Sequence, residues 1–272
     1  MAVAALHAAA SGMNALSTKI DVLANNLANV NTDGFKASRV NFEDMLYQQK
    51  VQPGVENDEG ARNPGLLQVG LGVRVSNTQF DFEIGSPRQT GKPTDVYIEG
   101  DGFFRVSVGA DRSPDGIAYT RNGAFFVNSE GNLTLGSDRG PLLDPPINVG
   151  AADEVASIRI DPVGRVLVTP PEGGEPEEVG QIELSMFVNP NGLMSVGGNL
   201  YVESDISGPP IDGEPDTDAF GALLSQHLES SNVDPVTELV TLIRAQRAFE
   251  LNSQTIQAAD ETLRVVSNLR RF

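Results

Sequence analysis

The chain of 272 residues has no cysteine and two histidines, His7 and His227. The first absence excludes disulfides and thiolate metal sites, and the second leaves no histidine cluster for a metal. Basic side chains are also scarce, 19 against 37 acidic ones, for a formal net charge of -18. That balance argues against binding nucleic acid through its phosphates. No run of 18 or more apolar residues occurs, so no segment has the length of a transmembrane helix. The stretch from Ala2 to Ala10 lacks the basic leading region and leucine-rich centre of a cleavable signal, and is expected to be retained structure.

Net charge nearly vanishes at the two ends. Residues 1–35 hold only Lys19, Asp21 and Asp33, and residues 233–272 balance five acidic side chains with five basic ones, so the negative excess lies in the middle. What the ends have instead is a seven-residue apolar repeat. Leu6, Met13, Ile20 and Leu27 fall seven apart, with Ala9, Leu16, Leu23 and Val30 three residues after each. Leu242, Phe249, Ile256 and Leu263 repeat likewise, with Ala245, Asn252, Ala259 and Val266 in the second register. This a/d spacing predicts two helices, over residues 3–30 and 235–269, whose seams need partners. They would run roughly 42 and 52 Å at about 1.5 Å per residue. Asp234 is placed as N-cap with Pro235 in the first turn, and Arg270 and Arg271 follow at the negative end of the dipole. A helix as poorly charged as the first is expected to be covered on several sides, more than one partner in the same chain supplies.

After the first helix, Asn31 to Gly34 predicts a tight turn, since asparagine and aspartate favour turns and left-handed backbone, and Phe35 is placed to anchor the exit. Residues 47–66 read as a long polar loop with little periodicity, of the kind that is usually functional or disordered. From Gly70 onward the pattern is short strands: Val73 to Phe80, Val96 to Ile98, Phe103 to Val108, Ala118 to Thr120, Ala124 to Val127, Leu133 to Leu135, Ile158 to Ile160, Val166 to Thr169, Ile182 to Val188 and Leu200 to Glu203. Turn signals such as Ser129-Glu130-Gly131-Asn132 and Asp161-Pro162-Val163-Gly164 separate them. Ser207 to Asp218, rich in proline, glycine and acid, reads as a solvated linker. The fold class expected is α+β: N- and C-terminal helices paired as a coiled-coil core, with an antiparallel all-β middle body. The expected division is residues 1–35 and 233–272 as helical core, 36–85 as connecting domain and 86–232 as β-rich outer domain.

Little in the chain suggests catalysis. Gly70-Leu71-Gly72 and Gly100-Asp101-Gly102 lack the further glycine and following helix of a phosphate cradle. The acids Asp212, Glu214, Asp216 and Asp218 lack the order of an EF-hand loop. Asp95, Glu99 and Asp101 leave a glycan-cleaving pair open, because carboxylate separation is a three-dimensional quantity.

Leu23-Ala24-Asn25-Asn26-Leu27-Ala28-Asn29-Val30-Asn31-Thr32-Asp33-Gly34-Phe35-Lys36 strongly resembles a signature of bacterial flagellar rod and hook proteins, with Asn25, Asn26, Asn29, Asn31, Gly34 and Phe35 as its turn residues. Ser231-Asn232-Val233-Asp234, Glu238-Leu239-Val240 and Gln246-Arg247-Ala248-Phe249-Glu250-Leu251-Asn252 resemble the matching C-terminal signature. Tyr47, Gln52-Pro53-Gly54 and Gly65-Leu66 resemble an extra segment of distal-rod members that hook members lack. The resemblance implies a non-catalytic structural subunit of the distal rod that polymerises into a hollow helical drive shaft, with both terminal helices in the core and the β body outside. It implies no catalytic, cofactor-binding or metal residues. The partners it implies are further copies of the chain, other rod proteins and hook protein at the ends, surrounding ring proteins and the flagellar type III export apparatus. It places the chain in the periplasmic rod of the basal body, exported without a cleaved signal. A proximal rod or hook subunit is the alternative within the family. Outside it stand a secreted glycan-active enzyme and a carbohydrate-binding β domain, and the latter leaves the terminal helices unexplained.

Overall fold

The computed structural model describes residues 2–51, 66–109, 111–150, 157–170, 175–217 and 219–269. The chain divides into two compact units, one of Met1–Ala28, Ser38–Gln79 and Asp234–Phe272, the other of Asn29–Ala37 and Phe80–Val233.

The first unit is built on two helices, α1 (Ala2–Ala28) and α2 (Pro235–Leu269), packed side by side. They run antiparallel: Gly12 lies against Asn252, and Asn26 donates to Glu238 Oε1 at 3.4 Å. A Cβ on Gly12 would sit 3.1 Å from Asn252 Nδ2, so the glycine lets the helices approach closely there. Helix α2 starts where the N-cap signal places it. Asp234 Oδ1 accepts the Val236 N–H at 3.0 Å, Thr237 Oγ1 donates to Asp234 Oδ2 at 2.5 Å, and these bonds hold the carboxyl below its usual range. Helix α1 stops at Ala28, short of the expected Val30, because Asn29 closes a turn: its carbonyl accepts Thr32 N–H and its side chain accepts Thr32 Oγ1, both at 3.1 Å.

Strands Ser38–Asp44 and Val73–Phe80 pair as a ribbon, and α1 packs against the first of them. Tyr47–Val51 pairs antiparallel with Leu67–Gly70. The ends of the 47–66 segment are therefore one strand and the approach to another, not a plain loop. Polar Gln48 and Gln49 hid the pattern, because ladder hydrogen bonds come from the backbone and need no apolar alternation.

The second unit is the β body. Among the described residues its largest sheet has nine strands, antiparallel in every pair; seven follow the order Met194–Gly197, Leu200–Val202, Ile117–Thr120, Phe103–Ser107, Leu142–Leu143, Leu133–Leu135, Phe125–Val127. Leu184–Met186 branches from Phe103–Ser107 and carries Ile211–Gly213 at its outer edge. Smaller sheets join Ser157–Ile160, Arg165–Thr169 and Glu177–Gln181; Val96–Glu99 with Ala222–Ser225; and Pro87–Gln89 with His227–Glu229. Successive side chains on a strand point to opposite faces. Phe104 and Val106 accordingly enter the main core with Ile98, Phe125 and Leu133, while Phe103 joins a second cluster with Tyr119, Phe187 and Tyr201. The rings meet edge to face, Phe104 with Phe125 at 5.2 Å and Tyr119 with Phe187 at 4.7 Å.

The segment that begins at Ser207 is exposed at Pro209, Ile211, Asp212, Glu214 and Asp216, as its composition implied, but it is not a plain linker, because Ile211–Gly213 is a strand of the sheet. The Ser207 hydroxyl is buried and donates to Ser204 O at 2.9 Å, and Ser185 pairs with Asp212 in the sheet. Asp212 also accepts from Ser185 Oγ at 2.5 Å and from Arg105 at 2.6 Å. Asp212 thus gains charge-assisted bonds at the sheet edge while its carboxylate still meets solvent. Asp218 lies outside the described residues.

The aromatic cluster makes the body sensitive to alkali. Burial pushes the Tyr119 phenol up to about 12, with Glu203 and Asp212 adding to the shift, and burial followed by Glu229 pushes Tyr201 upward as well. An unfolded tyrosine ionises near 10, so between about pH 10 and 12 the unfolded chain sheds protons that the folded body keeps. Stability is expected to fall as pH rises through that window. Phenolate absorbance should grow in step with loss of the β-sheet circular dichroism; phenolate forming ahead of that loss would show the rings to be solvent-open.

Candidate assembly interface

The seam residues are buried only in part. On α1, Ala9 and Leu23 are buried, while Leu6, Met13, Leu16, Ile20 and Leu27 are half-buried; Val30, also half-buried, lies past the helix end. On α2, Ala245 is buried and Leu242, Asn252, Ile256 and Ala259 are half-buried. Phe249 and Leu263 are each 37% exposed, and the side chain of Val266 is outside the described residues, as are Arg270 and Arg271.

A second apolar stripe on α2 was missed in the sequence. Val236, Leu239, Val240 and Ile243 follow at i, i+3, i+4 and i+7, and all are exposed, from 42 to 69%. The spacing is legible in the sequence, but the seven-residue repeat drew attention to a different face of the same helix. Contiguous apolar surface of this kind marks an interaction site.

The turn signature closes the path out of α1. The buried amide of Asn26 pairs both ways with the backbone of Ser38, donating to its carbonyl at 2.8 Å and accepting its N–H at 3.0 Å. Its further bond to Glu238 works against burial, which holds that carboxyl above its usual range. Asn25 and Asn31 are exposed, and Phe35 is half-buried. Gly34 has φ 68° and packs on the backbone of Arg121 and Asn122, where a Cβ would fall 2.7 Å from Asn122 N. Gly34→Ala is expected to cost about 1–3 kcal/mol in urea unfolding, from strain and contact together. Gly91, with φ 76° and open space around it, is the control for strain alone. Equal losses at both sites would remove the packing contribution at Gly34.

Sequence reasoning gave no role to the residue that follows. Lys36 is fully buried, and its ammonium donates to Glu229 Oε1 and to Glu83 O, each at 2.6 Å. Glu229 Oε1 also accepts Gly85 N–H at 2.7 Å. Arg121, 3% exposed, lies 3.8 Å from Glu229 Oε2 and 5.3 Å from the Phe103 ring. Burial pulls the Lys36 pKa below its ordinary value, opposed by Glu229, and Arg121 beside it pulls the same way as burial. Asn232 binds the same segment, accepting Ala37 N–H at 2.7 Å and donating to Asp81 O at 2.8 Å. Lys36 and Asn232 stand inside the two signature motifs; Glu229 has no local signal, because it is buried only by partners distant in the chain.

Of the rod-type segment, Tyr47 and Leu66 are about half exposed, and Gln52, Pro53, Gly54 and Gly65 lie outside the described residues. Of the three acids weighed for glycan cleavage, Asp95 is buried and Glu99 and Asp101 are exposed. Among the described residues no group of three or more histidines and carboxylates is placed to hold a metal, and no helix is long and apolar enough to cross a membrane.

Comparison with known proteins agrees with the two signatures. Residues 6–36 match the family "Flagella basal body rod protein", residues 97–168 the "Flagellar hook protein FlgE/F/G D1 domain", and residues 224–269 the "Flagellar basal body rod FlgEFG protein C-terminal" family. The flagellar basal-body rod protein FlgG of Borreliella burgdorferi is 43% identical over 268 residues, 98% of each chain. FlgG of Caulobacter vibrioides is 39% identical over 268 residues, 98% of this chain and 99% of that one. The hook protein FlgE of Helicobacter mustelae is 32% identical over 214 residues, 76% of this chain but 46% of the hook protein. With near-complete coverage of both partners on the rod side, the chain belongs to the FlgG family of flagellar basal-body rod proteins.

Proposed function

We propose that this chain, a structural subunit of the distal flagellar rod rather than an enzyme, assembles through α1 and α2 into a hollow helical shaft that passes torque to the hook. The observation that carries the reading is the exposed stripe Val236, Leu239, Val240 and Ile243 on a helix already packed on another face. In this reading residues 1–35 and 233–272 line the core as a coiled coil shared among neighbours, residues 36–85 connect, and residues 86–232 form the outer wall. The near-neutral ends pack closely while the acidic middle faces solvent.

Other rod proteins and hook protein meet the ends of the shaft, ring proteins surround it in the periplasm, and the type III export apparatus delivers the chain without a cleaved signal. Residues 47–66, bounded by the paired strands Tyr47–Val51 and Leu67–Gly70, supply stiffening contacts between neighbouring subunits. Imaging the polymer formed by a chain lacking residues 47–66 tests the last point, with a bent or curved filament expected. A deletion polymer as straight as the parent would remove the stiffening role, and a parent chain that forms no polymer would remove the shaft itself.

A further inference from the structure

The β body carries an apolar projection on two loops and an apolar groove between two strands. Val188 and Ile206 are 81% and 73% exposed. Their two loops are tied together: Asn189 Nδ2 donates to Ile206 O at 3.3 Å, Asn189 N–H to Ser207 O at 3.4 Å, and Ser204 Oγ to Gly192 O at 2.6 Å. Side chains held on cross-linked loops lose little further freedom on docking. The acid Asp205 stands beside Ile206 and is itself exposed.

The groove, about 610 Å³, opens between strands Ser157–Ile160 and Ala222–Ser225, with Pro93, Ile158, Leu223 and Leu224 in its wall. Arg159 belongs to the same wall, with its side chain 80% exposed and its ion-pair partner, Asp161, at 3.6 Å.

We propose that Val188 and Ile206 of one copy seat in the groove of the next copy, with Asp205 of the first against Arg159 of the second. An open helical polymer requires a heterologous contact, in which two different patches on each subunit meet head to tail. Projection and groove are such a pair, apolar against apolar and carboxylate against guanidinium. The pairing also answers a charge problem, since the middle of the chain carries nearly all of the negative excess and neighbouring bodies repel unless basic groups are matched to acids. The contact rests on the rod-subunit reading and adds to it a specific outer-wall joint.

The chain has no cysteine, so an Ile206→Cys, Leu224→Cys double variant reports this contact. Oxidising its assembled polymer is expected to give a ladder of covalently linked multimers on a non-reducing gel, with no ladder from either single variant. Asp205→Arg and Arg159→Asp should each raise the critical concentration for assembly about tenfold, and the exchanged pair should restore it. Dimers without higher multimers, or a normal polymer that gives no ladder and is indifferent to both charge changes, would overturn the contact while leaving the rod reading in place. Failure of the unmodified chain to polymerise would overturn both.

Discussion

Ile243→Asp is expected to leave the isolated chain folded and to abolish polymer. Ile243 is already 43% exposed, so a carboxylate there meets water in the monomer and costs little. In a polymer that buries this stripe, the change removes roughly 1.5–3 kcal/mol of aliphatic burial per subunit contact and adds the desolvation of a charge. A loss of that size raises the critical concentration by about a hundredfold or more. Leu23→Asp is the contrasting case. Leu23 is 8% exposed within the chain, so its loss should lower the unfolding midpoint of the isolated protein as well as the polymer yield. Ile256→Asp, half-buried, belongs between the two. Circular dichroism of the monomer and sedimentation of the polymer separate the cases. Normal sedimentation of Ile243→Asp would show that this face of α2 is not an assembly surface.

Glu229→Gln is expected to destabilise the β body more than Lys36→Met. The buried cluster holds two cations, Lys36 and Arg121, around one carboxylate. Removing the lysine leaves Arg121 and Glu229 as a neutral pair. Removing the carboxylate leaves two like charges buried together, at a cost of about 3–5 kcal/mol, the range for breaking a buried pair. The lysine, whose pKa is already drawn down by burial, then has a way out by losing its proton. That gives Glu229→Gln a distinct pH signature. With the folded pKa of Lys36 depressed further, the unfolded chain binds the extra proton, so the variant regains stability as pH rises toward the ordinary lysine value near 10.4. Urea midpoints measured across neutral to mildly alkaline pH check this. A Glu229→Gln loss independent of pH, or equal to the Lys36→Met loss, would mean that the charges are compensated by something other than each other.

The same cluster shows where reading from sequence stops. Asp234-Pro235 announced the start of α2 because capping is local, settled by a carboxylate and an N–H two residues apart. Leu133–Leu135 and Val73–Phe80 were legible because alternation is local too. Pro87–Gln89 and His227–Glu229 were not, since each is three mostly polar residues made a strand only by the other. Likewise the turn residues of the Asn-rich signature were visible, whereas the reason Lys36 follows them was not.

Periodicity, charge and contiguous motifs are enough to specify two heptad helices of low net charge at the ends, an acidic antiparallel β body between them, and the family. Tertiary packing alone selects the face of α2 that α1 covers and the face that it leaves open. It also decides that Lys36 is neutralised by a glutamate 193 residues away, and that Asp212, exposed as its composition implied, stands on a sheet-edge strand. The physical reason is that periodicity specifies a face but not its partner, and the cost of burying a charge depends on what surrounds it in space.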